Sequence, residues 1–179
     1  MTRYVAFLRG INVGKAKRIE MAELKRTFGG AGFENVTTYI ASGNVIFESP
    51  EADATALARE IEAILEKAFG FPIGVIVRTA EDIRRMVDAD PFNGIEVTPD
   101  VRLYVTFLGA KSNSSLPLPW ESPQGDFKIL RVSNRAIFSV MTLGKIGTTD
   151  AMKILEKEFG KRVTTRNWNV ITKLADLAS

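Results

Sequence analysis

The sequence predicts an α+β fold built from two similar halves. Three observations lead to this prediction: apolar runs typical of β-strands, amphipathic stretches with apolar side chains at helical spacing, and short local repeats 90 to 100 residues apart. The composition is compatible with it, because a chain of 179 residues that is 45% hydrophobic and 25% charged can bury a sizeable core. Length alone allows either one domain or two small ones.

The first half contains four strand-like runs, at residues 3–8, 36–41, 45–48 and 73–78. Helices are predicted near residues 21–28 and over residues 54–69, each with apolar side chains at helical spacing. Gly43-Asn44, which separates the second and third runs, indicates a hairpin. The resulting order β-α-β-β-α-β is that of the ferredoxin-like split unit, so residues 1–79 are predicted to form a first ferredoxin-like subdomain.

Residues 80–179 are predicted to form a second, more irregular ferredoxin-like subdomain that ends in a helix. Its predicted strands lie at residues 102–108, 127–132, 136–141 and 162–165, and its predicted helices at residues 80–87, 149–159 and 167–177. The segment of residues 109–126 is rich in Ser, Pro and Gly, which predicts a long loop or a short irregular helix around Trp120.

Three local matches indicate an internal duplication. YVAFL at Tyr4 recurs as YVTFL at Tyr104, SGNVIF at Ser42 resembles SNRAIF at Ser133, and ILEKAFG at Ile64 recurs as ILEKEFG at Ile154. The offsets of 100, 91 and 90 residues fall in chain order, as they would if the second copy had shorter loops. The alternative is convergence, because alternating aliphatic strands and ILEK helix turns are common.

The first strand carries apolar side chains on both faces, since Val5 and Phe7 point one way and Tyr4, Ala6 and Leu8 the other. A ferredoxin-like unit covers only one sheet face with helices. The second face must therefore be buried too, against the other half of the chain or against a partner subunit in a homodimer.

The absence of Cys and His from the sequence excludes several chemistries. Disulfides, Cys or His metal sites, thiol nucleophiles and the Ser-His-Asp triad all need residues that the chain lacks. We expect no cofactor and no metal site, although a magnesium site of carboxylates is compatible with the composition. No apolar run approaches the roughly 20 residues that cross a bilayer, and the N-terminal residues are not typical of a signal peptide. We therefore expect a cytoplasmic protein with no membrane partner.

The stretch LRGINVGKAKR, which runs from Leu8 to Arg18, resembles a phosphate loop in context because it follows a strand and precedes a helix. It is not a Walker A motif. Such a motif needs four residues before its Gly-Lys pair and a Ser or Thr after it, whereas this stretch has three residues and then Ala16. The stretch is therefore not an NTPase signature.

A weaker anion-site hypothesis follows from the predicted topology. The end of the first strand and the Ser42-Gly43-Asn44 tip should meet at one sheet edge, beside the positive N-terminus of the first helix. Glycine-rich backbone there can direct N–H groups at an anion, and basic side chains supply charge. The candidate ligand-binding residues at this edge are Arg9, Gly10, Asn12, Gly14, Lys15, Arg18, Ser42 and Asn44. The alternative is that the glycines and asparagines only permit turns and that the lysines are solvated.

The run TTRNWN, from Thr164 to Asn169, opens the predicted last helix and contains the ninth candidate, Arg166. Arg166 has two possible roles. Its guanidinium either binds a carboxylate or phosphate through two hydrogen bonds, or it forms an ion pair at the surface. Trp168 is either a stacking plane or, as we favour, an anchor in the core or between the halves. Catalytic residues remain unknown, because no spacing favours a carboxylate pair or a Ser-Lys dyad.

Three segments together resemble the bacterial family called domain of unknown function 1697. They are FLRGINVGKAKRIEMAEL, VTTYIASGNVIFES and TTRNWNVITKLADL. The resemblance implies a compact α/β protein of two similar subdomains and implies no activity. The motif positions of the family correspond here to Arg9, Gly10, Asn12, Gly14, Ser42, Gly43, Asn44, Thr165, Arg166, Asn167 and Trp168. The stretch FKILRVSNRAIFSVM is less typical of the family.

Three functions are compatible with these features. We favour a protein that binds a phosphate-bearing ligand, either a nucleotide or a nucleic-acid backbone, without catalysis. Any nucleic-acid contact would use loops and charge. The sequence does not fit an RNA-recognition sheet, which needs paired aromatic side chains on a solvent-exposed face. The alternatives are a small enzyme that acts on an anionic substrate and a homodimeric adaptor module without a ligand.

Overall fold

The α+β class predicted from the sequence is confirmed by the computed structural model, which describes residues 1–112, 114–144 and 147–179. These residues form nine strands and five helices, arranged around two antiparallel sheets. The chain divides into two compact units, one of residues 1–88 and 173–179 and the other of residues 89–172. None of the helices in the described ranges is long and apolar enough to cross a membrane.

The first unit contains a four-stranded sheet with the order β2-β3-β1-β4. Its elements are β1 (Thr2–Leu8), α1 (Met21–Gly30), β2 (Glu34–Tyr39), β3 (Asn44–Ser49), α2 (Ala54–Phe69), β4 (Val75–Thr79) and α3 (Ala80–Asp88). The central strand β1 pairs with β3 on one side and with β4 on the other, both antiparallel. The end of β1 therefore lies beside the start of both neighbouring strands.

One face of this sheet packs against α1 and α2. Tyr4 and Phe47 stack with ring centroids 5.6 Å apart, and Phe28 of α1 lies 5.6 Å from Phe47. Helix α2 begins at Asp53, whose carboxylate accepts hydrogen bonds from the N–H groups of residues 55 and 56, as expected of a good N-cap. It ends at Gly70 with a positive φ of 82°, which a glycine adopts without steric cost.

Helix α3 lies on the opposite face of the first sheet. Val75 and Val77 point into the core cluster, so Arg78 on the same strand points away from it. Arg78 Nε lies 3.6 Å from the Asp82 carboxylate of α3, which places the helix on that side. Val5, the residue opposite Arg78 in the β1–β4 register, is also fully buried.

The second unit contains a five-stranded sheet with the order β6-β7-β8-β5-β9. Its elements are β5 (Val101–Leu108), β6 (Trp120–Glu121), β7 (Phe127–Ser133), β8 (Ala136–Thr142), α4 (Thr148–Phe159), β9 (Val163–Asn167) and the start of α5 (Trp168–Leu177). One face packs in a cluster that includes Phe127, Ile137 and Leu155. Strand β5 is the counterpart of β1, since it pairs with β8 and with β9.

The segment of residues 109–126 differs from one of the two predicted forms. No helix forms in its described part, and it contributes the two-residue strand β6, which pairs with β7. Trp120 packs edge-on against Phe127 at 6.3 Å, and this contact anchors the segment. Burial of an indole against a core ring stabilises this path more than an isolated short helix would.

Candidate functional site

The loop after β1 and the connection that joins β2 to β3 meet at one edge of the first sheet. The Leu8 N–H donates to the Gly43 carbonyl at 2.9 Å, one residue beyond the Phe7–Asn44 pair of the β1–β3 ladder. The side-chain amide of Asn12 donates to the Ala41 carbonyl at 2.8 Å. The two segments therefore lie together, as the strand topology predicts, and we call residues 9–18 with residues 41–43 the rim.

Asn12 holds the rim loop in shape. Its Nδ2 also donates to the Ile19 carbonyl at 2.9 Å, and its Oδ1 accepts from the Ile19 N–H at 2.7 Å. Its own N–H donates to the Lys17 carbonyl at 3.0 Å, which closes the loop on itself. An asparagine suits this position because its φ is 55°, a left-handed conformation that Asn tolerates better than most residues. Asn12 is thus a clamp within the protein.

Gly43 permits the close approach of the two rim segments. A Cβ on Gly43 would lie 2.8 Å from Ile11 Cδ1 and 2.9 Å from Leu8 Cβ, both closer than real Cβ contacts. Its φ of 93° is also one that side chains rarely adopt. Ile11 is buried, so the glycine lets an apolar side chain pin the loop onto the turn.

The backbone of the rim loop alternates in handedness. Gly10, Asn12 and Gly14 have φ values of 69°, 55° and 63°, whereas the intervening Ile11 and Val13 keep negative φ. Backbone that alternates between right- and left-handed helical conformations can turn successive N–H groups toward one concavity that suits an anion. Within the described part of the chain, the N–H groups of residues 10, 11, 13–15, 17 and 18 donate no hydrogen bond to the protein, whereas the turn at residues 14–15 closes through the N–H of residue 16.

The basic side chains of the rim differ in what they do. Lys15 and Lys17 are exposed. Arg18 is exposed as well, but its Nη1 donates to the Gly14 carbonyl at 3.2 Å and to the Asn12 carbonyl at 3.5 Å, so it braces the loop. Arg9 is half-buried at the base of the loop, where its N–H donates to the Gly74 carbonyl at 2.8 Å.

The N-terminus of α1 is less favourable to an anion than the sequence suggested. The N-cap is Glu20, whose side chain makes no capping hydrogen bond, and Glu23 follows in the first turn. Two carboxylates at this end already match the partial positive charge of the helix. Any attraction for an anion at the rim therefore comes from the loop amides and the cations.

Ser42 and Asn44 also differ. Asn44 is fully buried, and its Nδ2 donates to the Tyr39 carbonyl at 2.9 Å and to Ser42 Oγ at 3.0 Å. Its amide group therefore organises the turn from inside. Ser42 is exposed at the tip, beside the rim loop. Of the nine sequence-predicted residues, eight lie in or next to the rim of the first unit.

The ninth predicted residue, Arg166, belongs to the second unit. It lies on β9 opposite Val105, with 7% of its surface exposed. Its Nη1 donates to Thr164 Oγ1 at 2.8 Å and to the Thr165 carbonyl at 3.0 Å. Burial lowers the pKa of the guanidinium to about 10, so the group stays charged at neutral pH. A surface ion-pair role does not fit this burial.

The sequence interpretation missed Arg78, which is the counterpart of Arg166. Arg78 lies opposite Val5 in the first sheet, as Arg166 lies opposite Val105 in the second, and both arginines are 7% exposed. The signal was available, because Arg78 to Arg166 is an offset of 88 residues, close to the offsets of 100, 91 and 90 between the three matched segments. In the described residues there is no group of three or more acidic side chains that could hold a metal ion.

Comparisons with known proteins bear on this chain in two ways. The family model described as Protein of unknown function (DUF1697) matches residues 1–138, so the TTRNWN motif lies beyond the matched segment. A solved structure of the conserved bacterial protein SP0830 from Streptococcus pneumoniae has 23% sequence identity and a TM-score of 0.72, and the match covers 99% of each chain. That likeness shows a shared fold. No curated protein matches the chain.

Proposed function

Because the chain belongs to the family described as Protein of unknown function (DUF1697), we propose its function from the rim itself: it binds a phosphate-bearing ligand there, a nucleotide or a nucleic-acid backbone. The observation that carries the proposal is the set of N–H groups of residues 13–15, 17 and 18, which donate to no acceptor in the described residues while Asn12 holds the loop in place. Preformed donors of this kind bind anions without the entropic cost of ordering a loop.

Each rim residue has a distinct part in this proposal. Gly10 and Gly14 allow the alternating backbone, and Lys15 supplies an exposed cation. Arg9 adds charge at the base of the loop, and Ser42, whose Oγ accepts from the Asn44 amide, lies exposed at the tip. The three remaining residues act through shape: Asn12 clamps the loop, Arg18 braces it and Asn44 organises the turn.

Calorimetric titration with pyrophosphate, AMP, ATP and a short single-stranded RNA tests the proposal. We expect binding of at least one probe, weakened roughly tenfold by the double change Lys15→Gln and Lys17→Gln, because charge pairs of exposed lysines contribute about 0.2–1 kcal/mol each. Arg59→Gln is the matched control, since Arg59 is an exposed cation on α2 in the same unit. No binding of any probe at millimolar concentration, or an equal loss in the control, would end the proposal.

Salt dependence separates the two ligand classes. Contacts with a nucleic-acid backbone release counterions, so RNA affinity should fall steeply with the logarithm of salt concentration. A nucleotide held by directed amides should lose much less affinity over the same range, because few ions are released. The ligand class, nucleotide or nucleic acid, that still binds at physiological salt concentration is the one that we assign to the rim.

We also propose that each unit is ferredoxin-like and that the two arose by duplication. The strand order β2-β3-β1-β4 of the first unit has the same sequence of roles as β7-β8-β5-β9 in the second. The matched arginines Arg78 and Arg166 and the four repeat offsets support a common origin. The division into subdomains of residues 1–79 and 80–179 stays a prediction, and we propose that α3 goes with the first repeat, since it follows β4 as α5 follows β9.

A further inference from the structure

A cavity of about 330 Å³ opens in the second unit where β5 begins and β9 ends. The antiparallel pairing of Tyr104 with Asn167 brings these two strand ends side by side. The lining includes Thr98 and Arg102 from the start of β5 and its approach, and Asn167, Trp168 and Asn169 from the TTRNWN run. A volume near 300 Å³ is at the lower end of the range for small-molecule sites.

The indole of Trp168 is held firmly at this cavity. Phe92 packs edge-on against it with ring centroids 5.1 Å apart, and Phe92 in turn packs edge-on against Phe138 at 5.9 Å. Trp168 remains half-buried, so part of the ring lines the open space. Within the described residues its indole N–H donates to no protein acceptor. A braced, partly open indole is a platform for a flat ring.

The polar groups around the indole have unused hydrogen-bonding capacity. Asn167 and Asn169 are exposed, and neither side-chain amide bonds to any other described residue. Arg102 Nη1 donates to the Pro99 carbonyl at 2.7 Å and to the Val101 carbonyl at 3.1 Å, which fixes the guanidinium. In the described ranges this arginine forms no ion pair with a carboxylate. A positioned cation, two amides and an aromatic face thus converge on one space.

We propose that this cavity binds a small anion with a planar heteroaromatic ring, of the chemical class of nucleoside monophosphates. The ring stacks on Trp168, the amides of Asn167 and Asn169 pair with the donors and acceptors at its edge, and Arg102 binds the phosphate. Side-chain amides suit a heterocycle edge because each offers both a donor and an acceptor. This site contains no rim residue, so the proposal for the cavity can be tested independently of the proposal for the rim.

Fluorescence of Trp168 provides the test. The chain has two tryptophans, and Trp120→Phe keeps an aromatic ring beside Phe127 while leaving Trp168 as the sole tryptophan, which excitation at about 295 nm selects over the three tyrosines. The probes are AMP, CMP, adenosine and inorganic phosphate. We expect saturable quenching by the two nucleotides, weaker quenching by adenosine and none by inorganic phosphate, because stacking brings the ring onto the indole.

Variants then assign the contacts. Arg102→Gln should weaken AMP roughly tenfold and leave adenosine unchanged, with partial recovery in Arg102→Lys, since only the phosphate needs the cation. Asn169→Ala should weaken both ligands. Lys157→Gln, an exposed cation on α4 of the same unit, is the control that should change nothing. The rim double variant should also leave the quenching unchanged.

Several results would overturn this proposal. Absence of quenching by AMP and CMP at millimolar concentration would remove the site. Quenching that Arg102→Gln leaves intact would remove the phosphate contact on which the ligand class depends. Quenching abolished by Lys15→Gln with Lys17→Gln would assign the ligand to the rim instead, because those side chains do not line this cavity.

Discussion

The two units share an order of strands but differ in how the first strand connects to the second. In the first unit, β1 leads through the rim loop into α1 before β2. In the second unit, β5 leads into residues 109–126, whose described part contains the short strand β6 and no helix, before β7. The two sheets therefore share their pattern of strand pairing, although the connection after the first strand of each sheet differs.

The polar groups also collect at different ends of the two sheets. The rim follows the C-terminal end of β1, whereas the cavity at Trp168 adjoins the N-terminal end of β5. These are opposite ends of two strands that hold the same place in the order of their sheets. In the described residues, the glycine-rich loop with its open amides precedes helix α1, and the cavity of the second unit lies at the other end of its sheet.

The turn after the second strand offers the largest test of this comparison. By the offset of 91 residues, Gly43 of the first unit corresponds to Asn134 of the second, and both have positive φ. We expect Gly43→Ala to lower the free energy of unfolding by about 3 kcal/mol, because it adds strain at φ 93° and drives a Cβ into Ile11. Urea denaturation measures the change.

Asn134→Ala is the matched control in the second unit. Its φ of 48° is strained for alanine, so a loss of about 1 kcal/mol is expected without a clash of the Gly43 kind. Equal losses at the two positions would mean that the close contact with Ile11 contributes nothing, and that the rim is not pinned there.

The buried arginines give a second, smaller test. Arg78 has Asp82 four residues later, whereas the residue four positions after Arg166 is Val170. Asp82→Asn should lower the free energy of unfolding by about 1–2 kcal/mol, a value reduced from that of a fully buried pair because the Asp82 carboxylate is 32% exposed. Glu81→Gln on the same helix breaks an exposed pair with Arg85 and should cost less than about 0.5 kcal/mol. A loss for Asp82→Asn no larger than that of the control would contradict the assigned pair.

The smallest expected effect is a pH dependence specific to the first unit. Hydrogen bonds from Asn35 and Arg3 lower the pKa of Glu48 below its ordinary 4.5, and the residue offset by 91 positions is Ser139, which does not titrate. A lowered folded-state pKa stabilises the protein above the unfolded-state pKa, and this stabilisation is lost as pH falls through the folded-state pKa. Glu48→Gln should therefore flatten the acid limb of the stability profile followed by urea denaturation. An acid limb identical to that of the unaltered protein would show that Glu48 does not contribute to the pH dependence of stability.

Local patterns predicted the elements well. Helix α2 spans Ala54–Phe69, the predicted residues, because an amphipathic run is bounded by Asp53 and Gly70. Strand β2 runs from Glu34 to Tyr39 rather than over residues 36–41, since Ile40 adopts a positive φ of 51° and ends the strand. Strand boundaries depend on backbone turns that a period-2 pattern does not reveal.

The candidate sites were predictable in part. Topology placed the rim segments together, but it could not tell that the Asn44 amide turns inward or that Arg18 braces its own loop. The cavity at Trp168 was not predicted as a cavity, because its lining comes from two segments more than sixty residues apart that only strand pairing brings together.

The sequence by itself determined the α+β elements, their order and the absence of Cys and His chemistry, because these follow from residue identity and short-range periodicity. Only the tertiary structure decided which polar groups remain available and which are used internally. That choice depends on strand register and on burial, which couple residues far apart in the chain, as the pairing of β5 with β9 does for Arg102 and Trp168.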